Sequence, residues 1–203
     1  MQKLKIAVLA SGSGSNLQAI IDEAAAGLLP VEIVMVLSDK PDAYALTRAE
    51  QAGIMTAVVL PKDYNTREEY DARVVKLLTL AGAEAVALAG YLRIVTKTLL
   101  DAFPGRVLNI HPALLPAFPG LHGQRQAFEY GVKVAGCTVH FVDEGLDSGP
   151  IILQAPVPVL DDDDEETLTA RILQQEHIIY PLALKLLAEG KLTVEGRKVR
   201  ISD

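Results

Sequence analysis

Residues 4–29 read LKIAVLASGSGSNLQAIIDEAAAGLL. Leu4 to Ala10 form an almost unbroken apolar run closed by a glycine-serine loop, the pattern of a strand buried on both faces. Leu17, Ile20, Ile21 and Ala24 then recur at helical spacing, and Gly27 supplies a stop. A buried strand, a short glycine-rich turn and an amphipathic helix, in that order, open a parallel α/β sheet.

The same grammar repeats outward from this stretch. VEIVMVLS (31–38) reads as a strand, Tyr44 to Ala52 as a helix and MTAVVL (55–60) as a strand. A helix from about Arg67 to Ala81 leads to AVALA (85–89), and a shorter one near Lys97–Phe103 leads to a strand ending at Asn109-Ile110-His111. Short connections between alternating strands and helices specify a Rossmann-like, mainly parallel twisted sheet with helices on both faces. Beyond a proline-bounded loop, 113–131, which is expected to be mobile and to close over a ligand, the pattern changes. AGCTVHFV (135–142) and the strand Ile151–Val159 flank the tight loop DEGLDSGP (143–150) and read as an antiparallel pair. A long helix from Glu165 to Ala188 and a small hairpin after Gly190 complete what reads as one domain, 1–203.

Half of the 203 residues are hydrophobic and 22% are charged, a globular composition. The net charge of -7 argues against a nucleic-acid surface. Cys137 is the single cysteine, which leaves no internal disulfide or structural zinc site and fits a reducing cytoplasm. The N-terminal apolar run is too short for a signal peptide's explanation to be needed, and no stretch approaches membrane-spanning length. The acidic run Asp161 to Glu166 reads as a helix start rather than a metal site, because consecutive side chains diverge.

Two stretches carry chemistry. The loop Ser11-Gly12-Ser13-Gly14-Ser15-Asn16 lies where backbone N–H groups and a helix N-terminus converge on an anion, although a tight turn would use the same glycines. Leu17 stands where a dinucleotide fingerprint needs a third glycine, while Asp39 after the second strand leaves a nicotinamide site open; no Walker lysine follows. The second stretch is RVLNIHPALLPAFPGLH (106–122), where Asn109 and His111 stand at a strand end. They could merely cap that strand. With Asp147 from the later loop they would instead form a neutral amide donor, a cationic imidazole donor whose pKa the carboxylate raises, and a proton acceptor. That set suits attack of an amine on a carbonyl, with Asn109 and His111 at the oxyanion and Asp147 taking the amine proton. No nucleophile elbow appears, and Cys137 lies inside a strand.

With these residues in view, the chain resembles the phosphoribosylglycinamide formyltransferases of the folate-dependent formyltransferase superfamily. The resemblance rests on SGSGSNLQAII, LAGYLRI, NIHPALLP with FPGLH, HFVDEGLDSGPII and QQEHIIYP, spread over nearly the whole chain. It implies transfer of a formyl group from 10-formyltetrahydrofolate, as co-substrate, to the amine of glycinamide ribonucleotide in purine synthesis, through a tetrahedral intermediate and without a metal. It makes Asn109, His111 and Asp147 the catalytic trio. It assigns the ribonucleotide to Gly14, Ser15, Asn16, Pro112 and Glu176. It assigns the folate to Arg67, Leu92, Arg93, Ile94, Val95, Asn109 and the backbone from Asp143 to Asp147. It further implies small-molecule partners only, a cytoplasmic protein, and a monomer or homodimer. Ala113 and Ala117 depart from the serine and the basic residue usual in the family. His122, His140 and His177 read singly as core or surface histidines. The rivals are a formyltetrahydrofolate hydrolase and a methionyl-tRNA formyltransferase, each expected to carry a further domain, and a nicotinamide oxidoreductase or a nucleotide-binding module.

Overall fold

A computed structural model describes residues 2–202. The chain divides into two compact units, one up to Leu108 and one from Asn109 onward. The first contains β1 (Leu4–Leu9), α1 (Ser15–Ala25), β2 (Val31–Ser38), α2 (Tyr44–Gln51), β3 (Thr56–Val58), α3 (Arg67–Leu80), β4 (Ala85–Leu88) and α4 (Lys97–Ala102). It ends in the first residues of β5 (Val107–His111). Its strands lie in the order β3-β2-β1-β4, and every pair is parallel. Ile6, Val8 and Leu9 on β1 and Leu37 on β2 are fully buried, as a strand covered on both faces requires. Each such side chain contributes about 1.5–3 kcal/mol by leaving water. The start of β5 follows β4, with Val86 N–H donating to the Arg106 carbonyl.

One strand is shorter than expected. The apolar run 55–60 yields only Thr56–Val58, because Met55 and Val58 lie exposed at the sheet edge and Pro61 opens a 3-10 turn at Pro61–Asp63.

The second unit holds the rest of β5, then α5 (Gly123–Tyr130), β6 (Val134–Phe141), β7 (Ile151–Pro158), α6 (Glu165–Ala188), β8 (Leu192–Glu195) and β9 (Lys198–Ile201). Here β6 pairs antiparallel with β7, β8 antiparallel with β9, and β7 meets β9 in parallel at Ile151 and Lys198. Gly136 belongs to the β6–β7 pairing, since a Cβ there would come within 2.1 Å of the Ala155 carbonyl. The acidic run starts α6 as expected. Asp164 accepts from Thr167 N–H at 2.8 Å while Thr167 Oγ1 accepts from Asp164 N–H at 2.9 Å. Asp163 receives both Nη atoms of Arg171 at 2.7 Å. The fold is thus α/β, parallel in its N-terminal half with antiparallel strands added in its C-terminal part. No helix among the described residues is long and apolar enough to cross a membrane.

The stretch 113–131 is not one irregular loop. Its second half is the helix α5, entered through His122 at φ 60 and closed by Gly131 at φ 79. Prolines stop at Pro119, and GQRQAFEY followed by glycine is a helix with its stop, a signal overshadowed by the three preceding prolines. Gln126 Nε2 ties the helix back to the carbonyls of Pro119 and Leu121 at 3.2 and 2.9 Å.

Candidate active site

In the first unit, the loop after β1 enters α1 through Gly14 in the left-handed region, φ 71. Glycine is required there twice over, because a Cβ would also lie 2.7 Å from Cα and Cβ of Ala45. Gly12 has open space around it, so close approach makes no such demand at that position. Helix α1 receives no side-chain cap from Gly14, leaving its N-terminus suited to an anion. Arg48, not singled out from the sequence, and Ser11 shape this loop. Arg48 on α2 donates Nε to the Ser13 carbonyl at 2.9 Å and Nη1 to Gln18 Oε1 at 3.0 Å, with its guanidinium 4.8 Å from the Tyr44 ring centre. Buried Ser11 accepts Leu92 N–H on Oγ at 2.9 Å and donates its own N–H to the Gly90 carbonyl. Sequence spacing offers no sign of Arg48, since its partner loop lies 35 residues away.

That tie leads into the segment 92–95. Leu92 and Ile94 are more than half exposed, whereas Val95 is buried. Arg93 stacks its guanidinium 4.4 Å from the ring centre of Tyr70, whose hydroxyl pairs with that of Tyr91 at 2.7 Å. The segment is pinned at its end where Asp71 Oδ2 accepts both Thr96 N–H and Oγ1–H, at 2.6 and 2.8 Å. Arg67 is exposed in the first turn of α3, whose cap is Thr66 accepting Glu69 N–H at 3.1 Å.

The second unit brings the trio together. Strand β5 presents Asn109 and His111 on alternate residues, two apart and hence on one face. Asp147 comes from the β6–β7 loop at φ 49, a left-handed conformation aspartate tolerates better than most residues. Its Oδ2 lies 3.4 Å from His111 Nδ1 and accepts Gly120 N–H at 2.7 Å. Gly149 lets the loop return, because a Cβ there would sit 1.8 Å from the Phe141 carbonyl. Asp143 Oδ1 accepts Ser148 Oγ–H at 2.6 Å and Gly145 N–H at 3.1 Å, so its carboxylate braces the same loop.

His140, which the sequence marks only as a core or surface histidine, joins this group. It is buried, with Nε2 3.2 Å from Asn109 Nδ2 and 3.7 Å from Asp147 Oδ1. Its Nδ1 lies 2.8 Å from the Phe141 carbonyl, so that nitrogen carries hydrogen. The β6–β7 register shifts between Val139 and His140, where Ile152 of β7 is passed over and β6 keeps its alternation. The amide partner of His140, Asn109, lies 31 residues earlier in the chain.

The expected charge of His111 is also corrected. Burial lowers its pKa below the ordinary histidine value and outweighs the upward pull of Asp147 and the Phe118 carbonyl. Burial would raise Asp147, but His140, Gly120 N–H and His111 together hold its carboxyl below the ordinary range. At neutral pH the pair is therefore a carboxylate beside a neutral imidazole. Nε2 of His111 carries the hydrogen, since it meets the Phe118 carbonyl at 2.8 Å, and Nδ1 offers a lone pair toward Asp147. The pair is set to receive a proton.

The remaining expected residues are placed as follows. Pro112 is half-buried directly after His111, and Glu176 is buried in α6 rather than solvated as a helix glutamate ordinarily is. Ala113 is buried and its carbonyl accepts from Thr138 Oγ1–H at 2.7 Å, while Ala117 is exposed. His122 is exposed at the start of α5. Burial pushes the Cys137 thiol up to about 12, which removes it as a nucleophile.

The model of the formyl transferase family matches residues 4–184. The chain belongs to the formyl transferase family. Its fold superposes on glycinamide ribonucleotide transformylase 1 from Symbiobacterium toebii with a TM-score of 0.98 and 55% identity, covering 100% of this chain and 95% of that one. This formyl transferase is 46% identical to the phosphoribosylglycinamide formyltransferase of Escherichia coli over 93% of its own length and 89% of the relative's. It is 49% identical to the trifunctional purine biosynthetic protein adenosine-3 of Drosophila melanogaster over 93% of its length, but spans only 14% of that much longer protein.

Proposed function

We propose that this formyl transferase moves the formyl group of 10-formyltetrahydrofolate to the amine of glycinamide ribonucleotide, yielding formylglycinamide ribonucleotide and tetrahydrofolate in purine synthesis. The observation that carries the reading is the gathering of Asn109, His111 and Asp147 at one place, with His111 Nδ1 3.4 Å from Asp147 Oδ2 and His140 Nε2 3.2 Å from Asn109 Nδ2 and 3.7 Å from Asp147 Oδ1. The names of the full-length relatives supply the acceptor.

In the mechanism, the amine nitrogen attacks the formyl carbon and a tetrahedral intermediate forms. An Asn109 amide N–H and His111 Nε2–H stabilise its oxyanion. The proton lost by the nitrogen passes to Asp147 and His111 Nδ1, directly or through a water. The C–N bond to the folate then breaks, the carbonyl re-forms, and the folate nitrogen takes up that proton. Charge builds beside a buried imidazole that is neutral beforehand, so the imidazole's proton affinity rises as the oxyanion develops.

For the ligands, Gly14, Ser15 and Asn16 hold the phosphate, and Glu176 and Pro112 the ribose side. Exposed Leu92 and Ile94 offer apolar surface to the pterin, with Arg93, Val95, Asn109 and the backbone from Asp143 completing its site. Arg67 pairs with the glutamate tail. The match from residue 4 to 184 crosses the unit boundary at Leu108, which favours one formyltransferase domain over 1–203. A cytoplasmic enzyme acting on small molecules, as monomer or homodimer, completes the proposal.

The test is spectrophotometric release of tetrahydrofolate with and without glycinamide ribonucleotide. Turnover only with the amine supports the transferase; equal turnover without it makes the protein a hydrolase.

A further inference from the structure

The hairpin β8–β9 lies outside the residues matched by the family model and contains no residue of the candidate site. One of its side chains nevertheless reaches the catalytic loop. Arg197, in the turn between the two strands, donates Nη2 to the main-chain carbonyl of Ser148 at 2.8 Å. Ser148 directly follows Asp147, so Arg197 holds the carbonyl of the residue next to the proposed proton acceptor. We propose that Arg197 is a positioning residue for Asp147, through which the C-terminal hairpin sets the rate of formyl transfer. The inference rests on the catalytic reading of Asp147.

The physical case is the cost of the loop's shape. Asp147 stands at φ 49, uncommon for a non-glycine residue although aspartate tolerates it better than most. On its side-chain face, Gly120 N–H holds Oδ2 at 2.7 Å, with His111 and His140 packed beside the carboxylate at 3.4 and 3.7 Å. On its main-chain face, Ser148 is gripped twice, by Asp143 through its hydroxyl at 2.6 Å and by Arg197 through its carbonyl at 2.8 Å. Two grips on one residue fix rotation as well as position. The hairpin is itself anchored next to the loop's exit, because Lys198 pairs with Ile151, the first residue of β7. Arg197 thus works from the position next to that pairing. A guanidinium bond to a carbonyl is modest in energy, but a proton acceptor misplaced by a fraction of an ångström slows chemistry more than it weakens binding.

The experiment is steady-state kinetics on full-length Arg197→Ala, Arg197→Lys, Arg200→Ala and Asp147→Asn. Arg197→Ala should lower kcat by about three- to tenfold and leave the ribonucleotide KM within about twofold. Arg197→Lys, which can still reach the carbonyl with one donor, should recover part of the loss. Arg200 pairs within the hairpin, its Nε 2.7 Å from Glu195, so Arg200→Ala should keep the parent kcat. The acid limb of the kcat profile should move to higher pH in Arg197→Ala, as a loosened loop releases Asp147 from its hydrogen bonds. A parent kcat in Arg197→Ala, or an equal loss in Arg197→Ala and Arg200→Ala, overturns the proposal while an inactive Asp147→Asn leaves the catalytic reading standing. An active Asp147→Asn overturns both.

Discussion

His111 donates Nε2–H to the main-chain carbonyl of Phe118 across 2.8 Å. The acceptor residue is itself held in the left-handed region, at φ 54, with its ring edge-on to Tyr130 at 5.7 Å. One residue further on but one, Gly120 N–H occupies Oδ2 of Asp147 at 2.7 Å. The segment 118–120 thus satisfies, with main-chain groups, the same atoms that the proposed mechanism assigns to the oxyanion and the amine proton.

That relationship fixes what removal of each group should do. His111→Ala should lower kcat by about 10²–10³-fold, the cost of losing an oxyanion donor. Asp147→Asn should lower it by about 10²–10⁴-fold, the range for a positioned base. The double variant should be little worse than the poorer single one, because the two act as a unit. Cooperative urea unfolding should survive in all three. Rates near the parent's in either single variant would remove that residue from the chemistry.

Stability should depend on pH through the same histidine. Folding depresses the His111 pKa, so the unfolded chain takes up a proton at this site before the folded one does. The stabilisation is therefore complete above the ordinary histidine value and is lost as the pH falls through the lower, folded value. Asp147 acts with the same sign at still lower pH, below the ordinary carboxylate value, since its pKa is depressed too. Between about pH 7.5 and 5.5, the urea midpoint of the parent protein should fall more than that of His111→Gln. Equal falls would show that His111 is not buried in its neutral form.

Binding of the ribonucleotide should respond to the loop after β1 and to the side chain behind it. Gly14→Ala places a methyl 2.7 Å from Ala45 at φ 71, and should cost about 1–3 kcal/mol of stability along with a higher ribonucleotide KM. Arg48→Ala removes the tie to the Ser13 carbonyl and a nearby positive charge. It should raise that KM by about tenfold with kcat and the folate KM little changed. Isothermal titration with the ribonucleotide checks both variants; parent affinity in Arg48→Ala would show that the loop holds its shape without the arginine.

The order of strands and helices could be read directly, because buried strands and amphipathic helices write their periodicity into neighbouring residues. Ser11 to Asn16 and the Asn109-Ile110-His111 strand end were visible for the same reason. Helix α5 was hidden less by physics than by its neighbours Pro112, Pro116 and Pro119, whose breaking influence ends at Pro119. His140 was out of reach, since the amide it meets, Asn109, lies 31 residues away on another strand. Arg48 and Arg197 were equally out of reach. Each acts on a carbonyl 35 or 49 residues away, and a main-chain carbonyl has no side-chain identity to betray it.

By itself, then, the sequence determined the α/β class and the residue types available for formyl transfer, because local periodicity and short motifs are properties of adjacent residues. Only the tertiary structure decided the protonation of His111 and the company kept by Asp147. The first depends on burial winning over a neighbouring carboxylate, and the second on which distant main-chain groups close around it.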